Sequence, residues 1–249
     1  LAMPQTDAAF ISFSKGANIR MIGEYIVKPP YELMAQPQYQ SLADLKGTNI
    51  GVPAVNNSIT IMMQRMLESA GLREGDYNWV ATGANQDRYA ALKSGAVSAV
   101  PLVDPMNFMA ADEGYVSLGS VADHFPEASF DSWWVNTNWS ENHRDTVVRF
   151  LKAMIKAQQW VDDPQNKERS IQLLMDDLNI SRDYAEKGYE LSVVNPRIFV
   201  ENAEPIKEAV EILIEIHEEL DTFQGQQAPA FEDFFDDSYL KQAHQELGI

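Results

Sequence analysis

Apolar and polar positions alternate in short units through the middle of the chain. Residues 48–53 (TNIGVP) form an apolar run typical of a buried strand, and the helical spacing of apolar residues after it predicts a helix that ends at Ala70. Two more apolar runs predict strands at residues 77–81 and 97–103, with a short helix over residues 86–94 between them. This alternation of strand and helix is typical of a doubly wound α/β sheet.

Helical spacing dominates the C-terminal part of the chain. A strand is predicted there at residues 130–136 (FDSWWVN), followed by helices over residues 144–161, 167–178, 182–192 and 203–220. At the other end, the pattern predicts a helix over residues 7–15 and a strand over residues 19–22, so the chain begins inside the alternation. We therefore expect the N-terminal βα units of a first lobe to be missing.

Composition excludes several kinds of partner and chemistry. The 249 residues carry 37 acidic side chains against 19 Lys and Arg, and this net charge of -18 disfavours binding to nucleic acid. There is no cysteine, which removes thiolate nucleophiles, disulfides and cysteine-ligated zinc. The four histidines are scattered, and no metalloprotease, serine-hydrolase or P-loop motif occurs. We therefore predict no catalytic residues, no metal and no cofactor.

Several motifs resemble one family. Residues 41–53 (SLADLKGTNIGVP) resemble the signature of periplasmic substrate-binding proteins of ABC importers, in the group for nitrate, sulfonate, taurine and thiamine-pyrimidine precursors. Further matches follow in the family's order at residues 88–99, at Pro105, at residues 145–153 (DTVVRFLKA) and at residues 234–248. Together these matches cover nearly the whole chain.

The resemblance implies a two-lobed periplasmic-binding-protein fold (type II, Venus-flytrap) of the α/β class, with the ligand in the cleft between the lobes. Residues 1–40 begin lobe 1, residues 41–130 form lobe 2, and residues 131–249 provide the hinge strand and return to the helices of lobe 1. In such proteins further βα units precede the position of Leu1, so the first lobe is expected to be incomplete.

The function that the resemblance implies is capture without catalysis. A monomer outside the cytoplasmic membrane would bind a small sulfonate, carboxylate or pyrimidine-like solute and deliver it to an ABC permease with its ATPase, and membrane association would come through that permease. Two alternatives stay open: an enzyme on the same fold, such as a pyrimidine-precursor synthase, and the sensor domain of a receptor.

Three loops after predicted strands of lobe 2 carry candidate ligand-binding residues. Asn56, Asn57 and Ser58 stand between a strand and a helix, where free backbone N–H groups suit an anionic or acceptor-rich ligand. The competing interpretation is that Ser58 only caps the helix. Asn85 and Asp104 occupy the two other loops, and Asp104 either accepts a hydrogen bond from a ligand or caps the helix at Pro105. Right-handed βα connections would bring all three loops to the same edge of the sheet.

The remaining candidates belong to the other lobe. Trp133 and Trp134 are adjacent on a predicted strand, so only one of them can face a ligand and stack on it. The competing interpretation is that they pack in the core. Tyr25 and Gln5-Thr6 occupy loop positions next to a predicted strand and helix. Arg88 matches a family position and could pair with a carboxylate or sulfonate. Because it lies within a predicted helix, we expect instead a structural role at the surface or between the lobes.

Overall fold

The computed structural model describes residues 1–124, 128–195 and 197–249. Its strands are β1 (Ile19–Ile26), β2 (Glu32–Ala35), β3 (Asn49–Val52), β4 (Asn78–Ala81), β5 (Ala99–Leu102), β6 (Val116–Ser120) and β7 (Asp131–Asn136). Its α-helices are α1 (Thr6–Ser14), α2 (Ser58–Ser69), α3 (Asn85–Lys93), α4 (Met106–Asp112), α5 (Thr137–Ser140), α6 (Arg144–Asp162), α7 (Lys167–Leu178), α8 (Arg182–Tyr189), α9 (Lys207–Glu219), α10 (Phe231–Phe234) and α11 (Ser238–Leu247). Among the described residues, no helix is both long enough and apolar enough to cross a membrane.

The chain divides into two compact units. Unit 1 comprises Leu1–Pro29 and Glu127–Ile249, and unit 2 comprises Pro30–Pro126. The boundaries expected from sequence lay near residue 40 and near residue 130. The first boundary differs because β2 pairs with β5 and β6, which ties residues 32–35 to the sheet of unit 2.

Unit 1 is built on an antiparallel pair of strands, β1 and β7, in the described residues. Because successive side chains of a strand point to opposite faces, Trp133 and Trp134 enter two different hydrophobic clusters. Trp133 packs with Ile22 and with buried residues of α6 and α11. Trp134 packs with Met21, α1 and Phe234. The prediction that the two tryptophans face opposite ways is confirmed.

The longest helix of unit 1 follows its apolar spacing closely. In α6 the buried residues are Val147, Val148, Leu151, Ile155 and Gln158. These positions recur with the helical period and therefore lie on one face of the helix. The face packs against the cluster that contains Trp133.

Unit 2 contains a five-stranded sheet in the order β4-β3-β5-β2-β6. Strand β3 is parallel to both β4 and β5, whereas β2 runs antiparallel to β5 and β6. Buried side chains of β2, α3, β5 and α4 form one hydrophobic cluster, which includes Met34, Leu92, Val100 and Ala110. The three parallel strands and their following helices are the alternation that the sequence predicted.

Gly51 allows close packing in the middle of this sheet. A Cβ atom at this position would lie 2.9 Å from Cγ1 of Val100 and 3.0 Å from Oγ1 of Thr82. A Cβ atom at 2.9 Å is closer than packed atoms approach, so a side chain here would force Val100 or Thr82 to shift.

Some predicted elements differ in extent. The helix predicted over residues 203–220 begins only at Lys207, because Asn202 and Ala203 have positive φ angles and Pro205 follows them. The helix predicted over residues 182–192 is α-helical only to Tyr189 and continues as a π-helical turn over Glu190–Val194. Strands β2 and β6 were not predicted.

Candidate functional site

The three loops that carry the lobe 2 candidates lie at one edge of the unit 2 sheet. They are residues 53–57 after β3, 82–84 after β4 and 103–105 after β5. Because these strands are mutually parallel, their carboxyl ends meet at the same edge, and the predicted placement is confirmed. We call these loops, together with the residues next to them in the chain and in the sheet, the polar edge. Such edges are where ligands bind in open α/β sheets.

Asn57 is the residue that caps α2. Its side-chain oxygen accepts a hydrogen bond from the backbone N–H of Ile59 at 2.9 Å. Ser58, the residue that the competing interpretation had as the cap, lies inside the first turn and is only 4% exposed. Asn56 is exposed and Asn57 is half-buried. Within the described residues the Nδ2 group of Asn57 has no hydrogen-bond partner, so it stays available as a donor.

Asn85 joins two of the three loops. Its Oδ1 atom accepts a hydrogen bond from the backbone N–H of Val103 at 3.2 Å, and its Nδ2 group donates to the carbonyl of Val103 at 3.4 Å. Nδ2 also lies 3.1 Å from the sulfur of Met106. Both ends of this amide are therefore used within the protein, which the sequence alone did not indicate.

Asp104 lies in the loop after β5, next to Val103, and is half-buried. Loss of solvent around its carboxyl group raises its pKa, and a hydrogen bond from its own backbone N–H opposes that effect. The Asp104 side chain makes no ion pair with any described residue. A carboxylate in this environment gains from a partner that donates hydrogen bonds.

Glu32 is a residue of the polar edge that was not predicted from sequence. It begins β2 and lies opposite Leu102 at the end of β5. Its carboxylate accepts hydrogen bonds from Nδ2 of Asn107 at 3.0 Å and from the hydroxyl of Ser117 at 2.5 Å. The signal that could have found it is a glutamate at the head of the short apolar run LMA.

Arg88 lies inside unit 2, where it is 3% exposed. Its guanidinium donates to the carbonyl oxygens of Pro101 at 2.7 Å and of Gly83 at 2.6 Å. A role between the lobes stays a prediction, whereas the expectation of a role at the surface was wrong. The reason is that the Arg88 side chain extends from α3 toward β5, where the donors of its planar guanidinium group bind backbone carbonyl oxygens.

Three candidates of unit 1, Gln5, Thr6 and Tyr25, come together around the start of β7. The backbone of Gln5 forms a bridge with Asp131, and Ile26, next to Tyr25, pairs with the same residue. Thr6 is fully buried, and its Oγ1 atom lies 2.8 Å from Oγ of Ser132. Tyr25 lies within β1 and not in a loop as predicted, because pairing with β7 extends the strand to Ile26.

The Asp131 carboxyl group of this cluster has a shifted pKa. Burial and the neighbouring Asp7 carboxylate raise the pKa of Asp131 to about 6. Burial, followed by the charge of Asp131, raises the pKa of Tyr25. Asp7 is itself only 7% exposed. The arrangement concentrates negative charge in a region with little water, and it disfavours an anion as the contacting group.

Both tryptophans are used in packing. Trp133 is 7% exposed and Trp134 is 3% exposed. The centroid of the Trp133 ring lies 5.4 Å from that of Tyr25 and 4.9 Å from that of Phe150. The indole N–H of Trp134 donates a hydrogen bond to Oγ of Ser132 at 2.7 Å. Stacking of either ring on a ligand stays a prediction.

In the part of the chain that the structure describes, no three His, Cys, Asp or Glu side chains group in a way that could hold a metal ion.

The fold resembles several solved structures. The ligand-binding component of an ABC-type import system from Staphylococcus aureus matches with a TM-score of 0.78 at 16% identity, over 97% of this chain and 80% of that chain. A putative periplasmic sulfonate-binding protein, SsuA, from Methylobacillus flagellatus matches with a TM-score of 0.75 at 16% identity, over 99% of this chain and 74% of that chain. The fold is therefore that of the periplasmic binding proteins.

The family follows from the sequence. The family described as NMT1/THI5 like matches residues 1–167, and this chain belongs to that family. Among curated proteins, none matches the sequence. The desulfurization enzyme DSZB shares the fold, with a TM-score of 0.76 at 14% identity over 98% of this chain and 85% of that chain.

Proposed function

We propose that this protein captures a small organic solute reversibly, as the binding component of an ABC importer. The observation that supports the proposal most strongly is the shared fold. Structures described as the ligand-binding component of an ABC-type import system and as the putative sulfonate-binding protein of an ABC transporter match 97% and 99% of this chain. Delivery would be to a permease with its ATPase, outside the cytoplasmic membrane. That the solute is held between the two lobes stays a prediction.

The polar edge of unit 2 supports a binding role on chemical grounds. It presents the free amide donor of Asn57 and the half-buried carboxylate of Asp104. Among the described residues we find no nucleophile, base and orienting group arranged together at this edge. Such groups fix the orientation of a ligand through hydrogen bonds. A solute bound here needs an acceptor for Asn57 and a donor for Asp104.

The carboxylates narrow the class of solute. Glu32 and Asp104 are both at the polar edge, while the donors of Arg88 are directed to backbone carbonyls and to Asn85. An inorganic anion such as nitrate would lie near two like charges there, which is costly where water is scarce. We therefore favour a solute with N–H or O–H donors, such as an aminopyrimidine, over a bare anion.

An enzyme on the same fold is the second candidate, and the match to DSZB is the observation that favours it. A structure of a cysteine-to-serine mutant of that enzyme, in complex with biphenyl-2-sulfinic acid, also matches this chain. The 249 residues here contain no cysteine. A solute that is recovered unchanged after incubation would separate binding from turnover.

The experiment is a set of thermal melts with ethanesulfonate, nitrate and 4-amino-5-hydroxymethyl-2-methylpyrimidine. A compound that binds only the native state at about 100 times its Kd stabilises that state by about 2.7 kcal/mol and raises Tm. We expect the pyrimidine to raise Tm and to be recovered intact by NMR. Chemical conversion of any of these compounds would favour the enzyme instead, and an unchanged Tm with all three would count against the proposal.

A further inference from the structure

Arg88 is buried, and its guanidinium makes several contacts within unit 2. Besides its bonds to Pro101 and Gly83, its Nη2 group donates to Oδ1 of Asn85 at 3.3 Å. Its Cζ atom also lies 5.6 Å from the centre of the Tyr31 ring. Burying a guanidinium is costly unless its donors are satisfied, and here backbone carbonyls and an amide satisfy them. The buried charge therefore holds together parts of the polar edge.

The acceptors of Arg88 belong to two different strands and their loops. Gly83 lies in the loop after β4, whereas Pro101 lies on β5. Asn85 extends the connection, because the same Oδ1 atom that accepts from Arg88 also accepts from the backbone N–H of Val103. A continuous path of hydrogen bonds therefore runs from the guanidinium to the residue just before Asp104.

We propose that Arg88 is a positioning residue for solute binding: through Asn85 it holds the turn of residues 103–105, and with it Asp104, in the geometry that receives the solute. This inference rests on the proposed function for its binding consequence. Its structural part concerns only the turn and can be tested without any solute.

An arginine suits this role better than a lysine. The guanidinium presents donors in several fixed directions within one plane, whereas an ammonium is a point charge on a flexible stem. Arg88 uses three of its nitrogens toward three separate acceptors. A binding site whose surrounding residues already hold its side chains in place loses less conformational entropy when the ligand binds.

The same geometry makes Arg88 unsuited to pair with an anionic solute. Its Nε, Nη1 and Nη2 atoms all donate to acceptors of unit 2, and the side chain is 3% exposed. Removing Arg88 should therefore weaken binding through loss of order in the turn, with no preference for anionic solutes.

The experiment compares Arg88→Met and Arg88→Lys with the exposed control Arg73→Met. Amide hydrogen exchange at Val103, followed by NMR relative to Ile50 in β3, reports on the turn itself. We expect exchange at Val103 to rise by roughly tenfold or more in Arg88→Met, to rise less in Arg88→Lys, and to stay unchanged in Arg73→Met. Val103 exchange in Arg88→Lys equal to that of the wild type would overturn the proposal, even where Arg88→Met fails to fold.

A second arm uses calorimetric titration with ethanesulfonate, nitrate and 4-amino-5-hydroxymethyl-2-methylpyrimidine. For whichever of them binds the wild type, we expect Arg88→Met to weaken affinity by roughly tenfold and Arg88→Lys to restore part of it. Faster Val103 exchange with unchanged affinity would overturn the positioning role. Failure of all three compounds to bind the wild type would count against the proposed function, while the exchange data would still decide whether Arg88 orders the turn.

Discussion

The side-chain oxygen of Asn57 accepts a hydrogen bond from the backbone N–H of Ile59, 2.9 Å away, and this bond fixes where α2 begins. The first N–H groups of a helix have no partner inside the helix, so a cap of this kind stabilises the whole element. The same side chain keeps its amide donor at the polar edge. One residue therefore serves helix α2 and the candidate site at once.

Two substitutions separate these roles of Asn57. Asn57→Ala removes the cap and should lower the free energy of unfolding by about 0.5 to 2 kcal/mol. Asn57→Asp keeps a capping oxygen but loses the amide donor, so it should preserve stability and weaken binding of a solute that accepts from Nδ2. Urea unfolding and titration of both variants provide the measurement. Equal stability of Asn57→Ala and the wild type would show that the cap contributes nothing.

Ser132 supports a buried hydrogen-bond network in unit 1. It is fully buried, it accepts from the indole N–H of Trp134, and it contacts Thr6. Ser132→Ala should lower the free energy of unfolding by about 1 to 3 kcal/mol because it leaves a buried N–H without a partner. The exposed Ser12→Ala is the control, and chemical denaturation is the readout. In a Trp134→Phe background the cost should be smaller, and an equal cost there would contradict the assigned bond.

Asp131 should make stability depend on pH with a defined sign. Its pKa is about 6 in the folded protein against an ordinary value of 3.8. The folded state therefore holds the proton more tightly, so stability falls as pH rises between these values and the penalty is complete above pH 6. Asp131→Asn removes the penalty and should be more stable than the wild type at neutral pH, by about 1 to 2 kcal/mol after allowance for partial exposure.

The check on Asp131 is urea unfolding of both proteins at pH 4 and at pH 7. The advantage of Asp131→Asn should shrink toward the acidic end, where the wild-type carboxyl is protonated in the folded state. The same advantage at both values would mean that ionisation of Asp131 is not its cause.

Substitution of Gly51 by alanine should destabilise the sheet of unit 2 through overpacking. Gly51→Ala would place its new methyl group 2.9 Å from Cγ1 of Val100, a fully buried residue of the central strand β5. Overpacking of this kind costs about 1 to 3 kcal/mol. Asn49→Ala, on the exposed end of the same strand, is the matched control. Thermal melts that show equal Tm values for the Gly51 variant and the control would contradict the close approach.

Strands with an apolar run and a helix after them could be predicted from the sequence alone. β3, β5 and α2 were found in this way because their burial leaves a period in the sequence. β2 was missed because its four residues carry no clear period and are held as a strand by β5 and β6, which come much later in the chain. The end of β1 was missed for the same reason, since pairing with β7 decides it.

The candidate site, like the fold, could be predicted from the sequence only in part. Sequence order predicted that the loops with Asn57, Asn85 and Asp104 lie at one edge, because parallel strands require it. It did not predict that both ends of the Asn85 amide bond to Val103, or that Arg88 is buried beside them. Such partners are 18 and 13 residues apart in the chain, and only the folded sheet brings them together.

Reversible capture of a solute at the polar edge is tested most directly by calorimetric titration. The titration compares the wild type, Asp104→Asn and the exposed control Glu74→Gln with the same three compounds. We predict that 4-amino-5-hydroxymethyl-2-methylpyrimidine binds the wild type once per chain and is recovered unchanged. Asp104→Asn should weaken this binding by about 1.5 to 3 kcal/mol, the range for a hydrogen bond to a charged group, and Glu74→Gln should not change it. Absence of binding by all three compounds, or equal affinity of Asp104→Asn and the wild type, would contradict the account.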